Sequence, residues 1–191
     1  MMNENSTNFC IETDEHCKSD QIYIKDTIER FFNYDNSMVK FSYVFMGGKG
    51  NYKTKAVAAK IEKNIKQFSF SDKSKKKTQD KSDEESRSVV IYCFDCDDYD
   101  IDPEASLFLE DVKQYCLDKH YEFVWFCKDI ERVYVGKKIP DNEKKKRAER
   151  FKRKNEVSSV QKEALTAERY GQNRSNLLRV LSQFEELQYK E

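Results

Sequence analysis

The sequence predicts an α/β fold: a mainly parallel sheet flanked by helices, followed by a helical C-terminal extension. Three observations predict it. Segments rich in β-formers alternate along the chain with segments of helical apolar spacing, the pattern of a sheet built from βαβ units. The strongest strand candidate, SVVIYCF at residues 88–94, is almost continuously apolar, as a strand buried on both faces must be. Acidic residues gather where strand candidates end, and in such sheets the chemistry sits at the carboxyl ends of the strands.

Asn8 to Ile11 is a short strand ending at Glu12. From Ser19, the spacing of Ile22, Tyr23, Asp26, Ile28, Phe31 and Phe32 fits a helix with Ser19 or Asp20 as its N-cap. Lys40 to Met46 (KFSYVFM) is a second strand, closed by GGKGN. A second helix starts near Tyr52 or Lys53 and carries Val57, Ile61, Ile65 and Phe68 on one face. Residues 71–88 (SDKSKKKTQDKSDEESRS) hold nothing that can build a core and read as a mobile surface loop within the domain. The 88–94 strand leads through DCDDYDIDP into a helix from about Pro103 to Lys119, with Leu107, Val112, Tyr115 and Cys116 inward. Glu122 to Cys127 (EFVWFC) is a further strand, and from Asp141 the chain is helical in propensity and basic at its start. The division is a core domain over 1–140 and a basic, then amphipathic, extension over 141–191.

Composition narrows the class. The 191 residues carry 35 Lys+Arg and 35 Asp+Glu, so the formal net charge is zero, but the charge is unevenly spread. Residues 1–35 hold eight acidic and three basic side chains, residues 89–111 eight acidic and no basic, and residues 137–154 ten basic and three acidic. No apolar run approaches the roughly 20 residues a bilayer crossing needs. MMNENSTNF lacks the basic and apolar regions of a signal peptide. Six cysteines in such a chain are expected as thiols, and the expected location is cytoplasmic.

Glu12 and the run Asp95 to Asp102 are the chemical candidates. On an extended stretch Asp95 and Asp97 point to one side and could share a divalent cation, which removes the repulsion between crowded carboxylates. Mg²⁺ suits a few carboxylates plus water and phosphate oxygens. Asp98, Asp100 and Asp102 read more simply as a solvated turn and helix N-cap. An EF-hand fits poorly, because the loop lacks the central Gly and has Tyr99 where a ligand should alternate.

FCIETDEHCKSDQIYIKDTIERFF resembles the opening motif of Toprim domains, a strand, a Glu, a short loop and a helix; VVIYCFDCDD resembles their second motif, a buried strand with Asp-x-Asp. Within that family the small RloB-like proteins are the nearest likeness, with Glu131 in VWFCKDIERVYVG at the place of their late acidic residue. The likeness covers about residues 8–135. It departs where Thr13 follows Glu12 in place of Gly, and the RloB-like Ser-x-Pro is absent. The resemblance implies a Toprim-like (Rossmann-like) sheet, with Glu12 as general acid/base or ligand-orienting carboxylate. It also implies Asp95 and Asp97 as holders of Mg²⁺ or Mn²⁺, with Glu12 counted among the metal-site and catalytic residues beside them, and hydrolysis of nucleic-acid phosphodiesters, in defence against foreign DNA. The rival expectation is a non-catalytic Toprim-like module that binds nucleic acid or a partner protein.

Two further segments bear on partners. Gly47-Gly48-Lys49-Gly50-Asn51-Tyr52-Lys53-Thr54 matches the P-loop pattern except for Tyr52 in place of the second Gly, so a P-loop-like NTPase is a lesser expectation. Otherwise the turn either presents amides, Lys49 and Lys53 to a nucleic-acid phosphate or is purely structural. KKKRAERFKRK, with Lys144, Lys145, Lys146 and Arg147, can grip a phosphate backbone as a helix or be a solvated face. The stripe Leu177, Leu178, Val180, Leu181, Phe184 and Leu187 packs on the domain or forms a homodimer. Cys10, His16 and Cys17 could make a zinc site. Cys93 and Cys96 lack the second pair of a zinc ribbon.

Overall fold

The structure is a computed structural model and describes residues 5–75 and 87–190. In chain order the elements are β1 Asn5–Ile11, α1 Ser19–Phe31, β2 Phe32–Asn33, β3 Val39–Phe45, α2 Lys55–Lys75, β4 Ser88–Asp95 and α3 Pro103–Lys119. They continue with β5 Glu122–Phe126, α4 Ile130–Val135, α5 Asp141–Arg153, α6 Lys162–Leu165, α7 Leu177–Leu181 and β6 Gln188–Tyr189. Four strands form one sheet in the order β3-β1-β4-β5, parallel throughout, while β2 and β6 pair antiparallel apart from it.

Side-chain alternation along the strands feeds two cores, one on each face of the sheet. Phe9 and Ile11 of β1, Ile91 and Cys93 of β4, and Val124 and Phe126 of β5 face α1, α4, α5 and α7. Cys10, Val90, Tyr92, Phe94 and Trp125 face α2 and α3. This double burial is why β4 reads as an almost unbroken apolar run, whereas β1, equally buried, carries Ser6, Thr7 and Asn8 inside. The chain leaves β1 for β3 through α1 on one face, then crosses back to β4 through α2 on the other. The carboxyl ends of β1 and β4 therefore flank a topological switch point, the place where open α/β sheets form a crevice.

Most expected elements stand within a few residues of their place, and α3 has the expected limits. The helix cap at α1 differs: Ser19 is its first residue, and Lys18, with φ 55°, is the cap. The expected loop over 71–88 overlaps α2, which runs on to Lys75, and β4, which begins at Ser88; of its remainder, 76–87, residues 76–86 lie outside the described residues. Leu107 was expected inward but is 71% exposed.

The larger correction concerns 141–191, which is no appended helical extension. Ala148, Phe151, Leu165, Leu177, Leu178 and Leu181 are buried in the same core as Phe9 and Tyr23. Segment 174–176 closes the free edge of β5. Phe126 bridges Ser175, the Cys127 N–H donates to the Arg174 carbonyl (2.9 Å), and Asn176 pairs with the backbone of both Phe123 and Trp125. An uncovered edge would leave a row of unpaired backbone groups. The leucine stripe is thus spent inside the chain, which removes the surface that the homodimer expectation required. Among the described residues no helix is long and apolar enough to cross a membrane.

Candidate functional site: a carboxylate cluster at the switch point

Ile11 pairs with Cys93 across the two central strands, so Glu12 and Asp95 emerge side by side at the carboxyl ends. Glu12 Oε1 accepts the backbone N–H of Asp95 at 2.8 Å. One carboxylate oxygen of Asp95 accepts the N–H of Ile130, at the start of α4, at 2.9 Å. That contact brings in Glu131, the next residue, whose side chain is 0% exposed. Both Glu131 oxygens lack a hydrogen-bond partner. Asp20, in the first turn of α1, completes the cluster.

Burial raises the affinity of all four carboxyls for a proton. Glu12 is pushed up to about 8, chiefly by desolvation; the Asp95 N–H opposes the rise, and the charges of Asp20 and Asp97 add to it. Asp95 is held well above the ordinary carboxylate range by desolvation, then by Glu12, Asp20 and Glu131. Desolvation also raises Asp20, and lifts Glu131 to about 7 against the pull of Lys144. Each group is thus short of positive charge or of donors.

Asp97 does not join in the expected way. The period-two alternation that would align it with Asp95 ends with the strand at Asp95. Asp97 lies in a left-handed turn (φ 48°) and pairs with Lys49 at 2.5 Å. It still lines, with Asp95, Asp141 and Lys144, a crevice of about 260 Å³ beside the switch point. Asp102 caps α3 through the Glu104 N–H, and Asp98 and Asp100 pair with Lys128, as a solvated turn would.

The expected phosphate-gripping residues separate into inward and outward sets. Lys49 faces the acidic cluster through Asp97. Lys53 is turned to α3, where it pairs with Asp111 at 2.7 Å. The glycine turn spends its amides within the chain: Gly47 donates to the Thr13 carbonyl and Gly48 to that of Glu12. Tyr52 is 5% exposed and packs edge-on against Phe94, Phe108 and Tyr115. A P-loop needs an open cradle of amides at this position; here an aromatic core anchor fills it. On α5, Lys144 and Arg147 turn inward with Ala148 and Phe151 at helical spacing, while Lys145 and Lys146 are exposed. Arg147, whose side chain is 19% exposed, is held by Glu156 at 2.5 Å, so it is not free to meet a phosphate.

Among the described residues no three His, Cys, Asp or Glu side chains stand as a ready metal cage. Mg²⁺ commonly takes only one or two carboxylates and completes its shell with water and phosphate. The all-oxygen donor set and the Glu131 oxygens, which accept no hydrogen bond, fit such an ion. The zinc expectation fails on geometry: Cys10 is buried in the α2/α3 core, whereas Cys17 beside His16 donates to Ser19 at 3.4 Å. A larger cavity of about 470 Å³, at Trp125, Tyr170 and Arg179, contains none of the clustered carboxylates.

Sequence reasoning missed Asp20 and Lys144 as members of the cluster. Asp20 follows Glu12 by one short loop into a helix packed beside the strand end, which was a usable signal. Lys144 shares the helical face of Ala148 and Phe151, which distinguishes it from its lysine neighbours. Comparison with family models, with curated proteins and with solved structures gave no match for this chain.

Proposed function

We propose that this chain is a Toprim-like, Mg²⁺-dependent nuclease that hydrolyses nucleic-acid phosphodiesters at the crevice between the ends of β1 and β4. One observation carries the reading. Glu12 and Asp95, 83 positions apart in sequence, are joined at the switch point by a hydrogen bond, within a group of half-buried and buried acids that outnumbers its cations, Lys49 and Lys144. Burying several carboxylates costs stability unless something compensates it, and a cation does so.

Asp95 and Glu131 would hold the ion, with Asp97 joining only by exchanging its partner Lys49. The ion would neutralise charge developing on phosphate oxygens. Glu12, lifted to about 8, is able to hold or take a proton near neutral pH, the property required of a general acid/base. Lys49, which pairs with Asp97 beside the crevice, and the exposed Lys145 and Lys146 are suited to steer a polyanion electrostatically. Defence against foreign DNA remains an implication of the RloB-like resemblance.

The rival reading, a non-catalytic module for nucleic acid or a partner protein, is favoured by the ion pair of Lys49 with Asp97, which already neutralises part of the cluster. A cleavage assay on DNA and RNA with Mn²⁺ decides between them. The nuclease reading expects cleavage by the wild type that is lost in Glu12→Gln and Asp95→Asn. Nucleic-acid binding without cleavage supports the module.

A further inference from the structure

Glu131 is an anomaly in the ion-free chain. A carboxylate with 0% exposure and no hydrogen bond to either oxygen is costly to bury. Its counter-charge comes from the segment expected to grip nucleic acid. Lys144 Nζ lies 3.7 Å from Glu131 Oε2 and 3.2 Å from Asp141 Oδ1, with 24% of its side chain exposed. We propose that Lys144 occupies the cation position of the carboxylate cluster in the ion-free chain, and that a divalent ion entering the crevice competes with it for Glu131 and Asp95.

Lys144 lies 3.7 Å from Glu131, an ion pair too long for a hydrogen bond; an ammonium held this way can be exchanged without breaking directed bonds. It also feels Asp95 and bears on Asp20, so its charge serves the cluster as well as one partner. Three neighbouring cations are engaged elsewhere: Lys49 with Asp97, Lys128 with Asp98 and Asp100, and Arg132 with Asp129; Lys138 lines the crevice too, but is exposed. Lys144 lines the same crevice as Asp95 and Asp141, with the buried Glu131 beyond its ammonium, and Asp141 is 96% exposed in its side chain. A displaced ammonium therefore keeps an anionic partner at the rim, the Asp141 carboxylate that it already meets at 3.2 Å. Lys144 is then a positioning residue: it favours the charged form of Glu131 until an ion arrives, and it ties α5 to the state of the site.

The inference rests on the metal reading above, and the test separates the two. Chelator-treated full-length wild type, Lys144→Met, Glu131→Gln and the double variant are titrated with Mn²⁺, reading bound ion by electron paramagnetic resonance and melting by circular dichroism. Lys144→Met is expected to melt below wild type in chelator, to recover with Mn²⁺, and to bind Mn²⁺ about tenfold more tightly, the scale of one nearby opposing charge. Glu131→Gln is expected to bind Mn²⁺ at least about tenfold more weakly, on the same scale. The double variant should regain in chelator the melting temperature of Glu131→Gln. Equal Mn²⁺ affinity of wild type and Lys144→Met overturns the inference while leaving the metal reading intact, and so does additivity of the two substitutions in chelator. Failure of both wild type and Lys144→Met to bind Mn²⁺ overturns the metal reading and the inference with it. Competition for Mn²⁺ without any cleavage defeats the nuclease alone.

Discussion

The Glu12 carboxylate reaches across two strand ends and accepts the Asp95 N–H at 2.8 Å. The bond fixes one acid against the backbone that carries the other, so neither can move far without its neighbour. It also favours ionised Glu12, yet desolvation outweighs it and the group is left at about 8, up from an ordinary 4.5.

That shift has a stability consequence with a definite sign. A carboxyl raised in the folded state contributes stability that is full below the unfolded value, near 4.5, and is lost as pH rises through about 8. Wild type without metal should therefore lose melting temperature between pH 5 and pH 8, and Glu12→Gln should lose less. The melting curves of the two proteins should diverge with rising pH, with Glu12→Gln ahead at pH 8. Parallel curves would remove Glu12 as the titrating group. In the cleavage assay the same substitution should cost about 10²-fold or more, the usual scale of a general acid/base.

Asp95 and Asp97 should behave differently although they are two residues apart. Asp97 forms a half-exposed ion pair with Lys49, and such pairs contribute about 0–1 kcal/mol. Asp97→Asn is expected to change urea stability by no more than about that amount and to weaken Mn²⁺ binding less than Asp95→Asn does. Equal loss of Mn²⁺ binding in both variants would show that Asp97 leaves Lys49 to become a full ligand.

How far the sequence reveals this molecule depends on which physical signal each residue carries. β4 was legible because burial on both faces makes it almost wholly apolar, whereas the polar start of β1, Asn5 to Thr7, hid that strand's first residues; Pro103 with Asp102 marks the start of α3 plainly. Glu12 and Asp95 were legible because they end strands. Asp97 was misjudged because alternation holds only while a strand lasts, and this one stops at Asp95. The leucine stripe was ambiguous because an apolar face has the same spacing whether its partner is the same chain or another. Lys144 was lumped with Lys145 and Lys146 because charge alone says nothing of orientation. Phe151, seven residues on and buried, identifies the inward face.

Tyr52 should prove structural. Its ring meets Phe94, Phe108 and Tyr115 edge-on, and its hydroxyl donates to Asp111. Truncation to Ala is expected to cost about 3–5 kcal/mol, the range for large buried aromatics, measured by urea denaturation. Restoring the P-loop pattern with Tyr52→Gly should not create nucleotide binding, since the Gly47 and Gly48 amides are already taken by Thr13 and Glu12. A melting-temperature rise of that variant with Mg²⁺ and ATP would revive the NTPase reading.

The two faces of α5 predict opposite responses to salt. Lys145 and Lys146 are exposed, so if they contact phosphates each releases close to one counterion. Replacing both with Gln should lower the slope of log K against log salt by about 1.8 for duplex DNA and leave the melting temperature nearly unchanged. Arg147 is held by Glu156 at 2.5 Å and packs beside Ala148 and Phe151. Arg147→Ala should leave the slope alone, because the guanidinium meets no phosphate. It should instead destabilise the fold by about 3–5 kcal/mol, or less as water reaches the site, since it leaves the partly buried Glu156 without its partner. Fluorescence anisotropy across a salt series, with melting curves on the same samples, separates the two. An Arg147→Ala protein with a shallower slope and unchanged stability would return that arginine to the nucleic-acid surface and reverse the orientation argued for the helix.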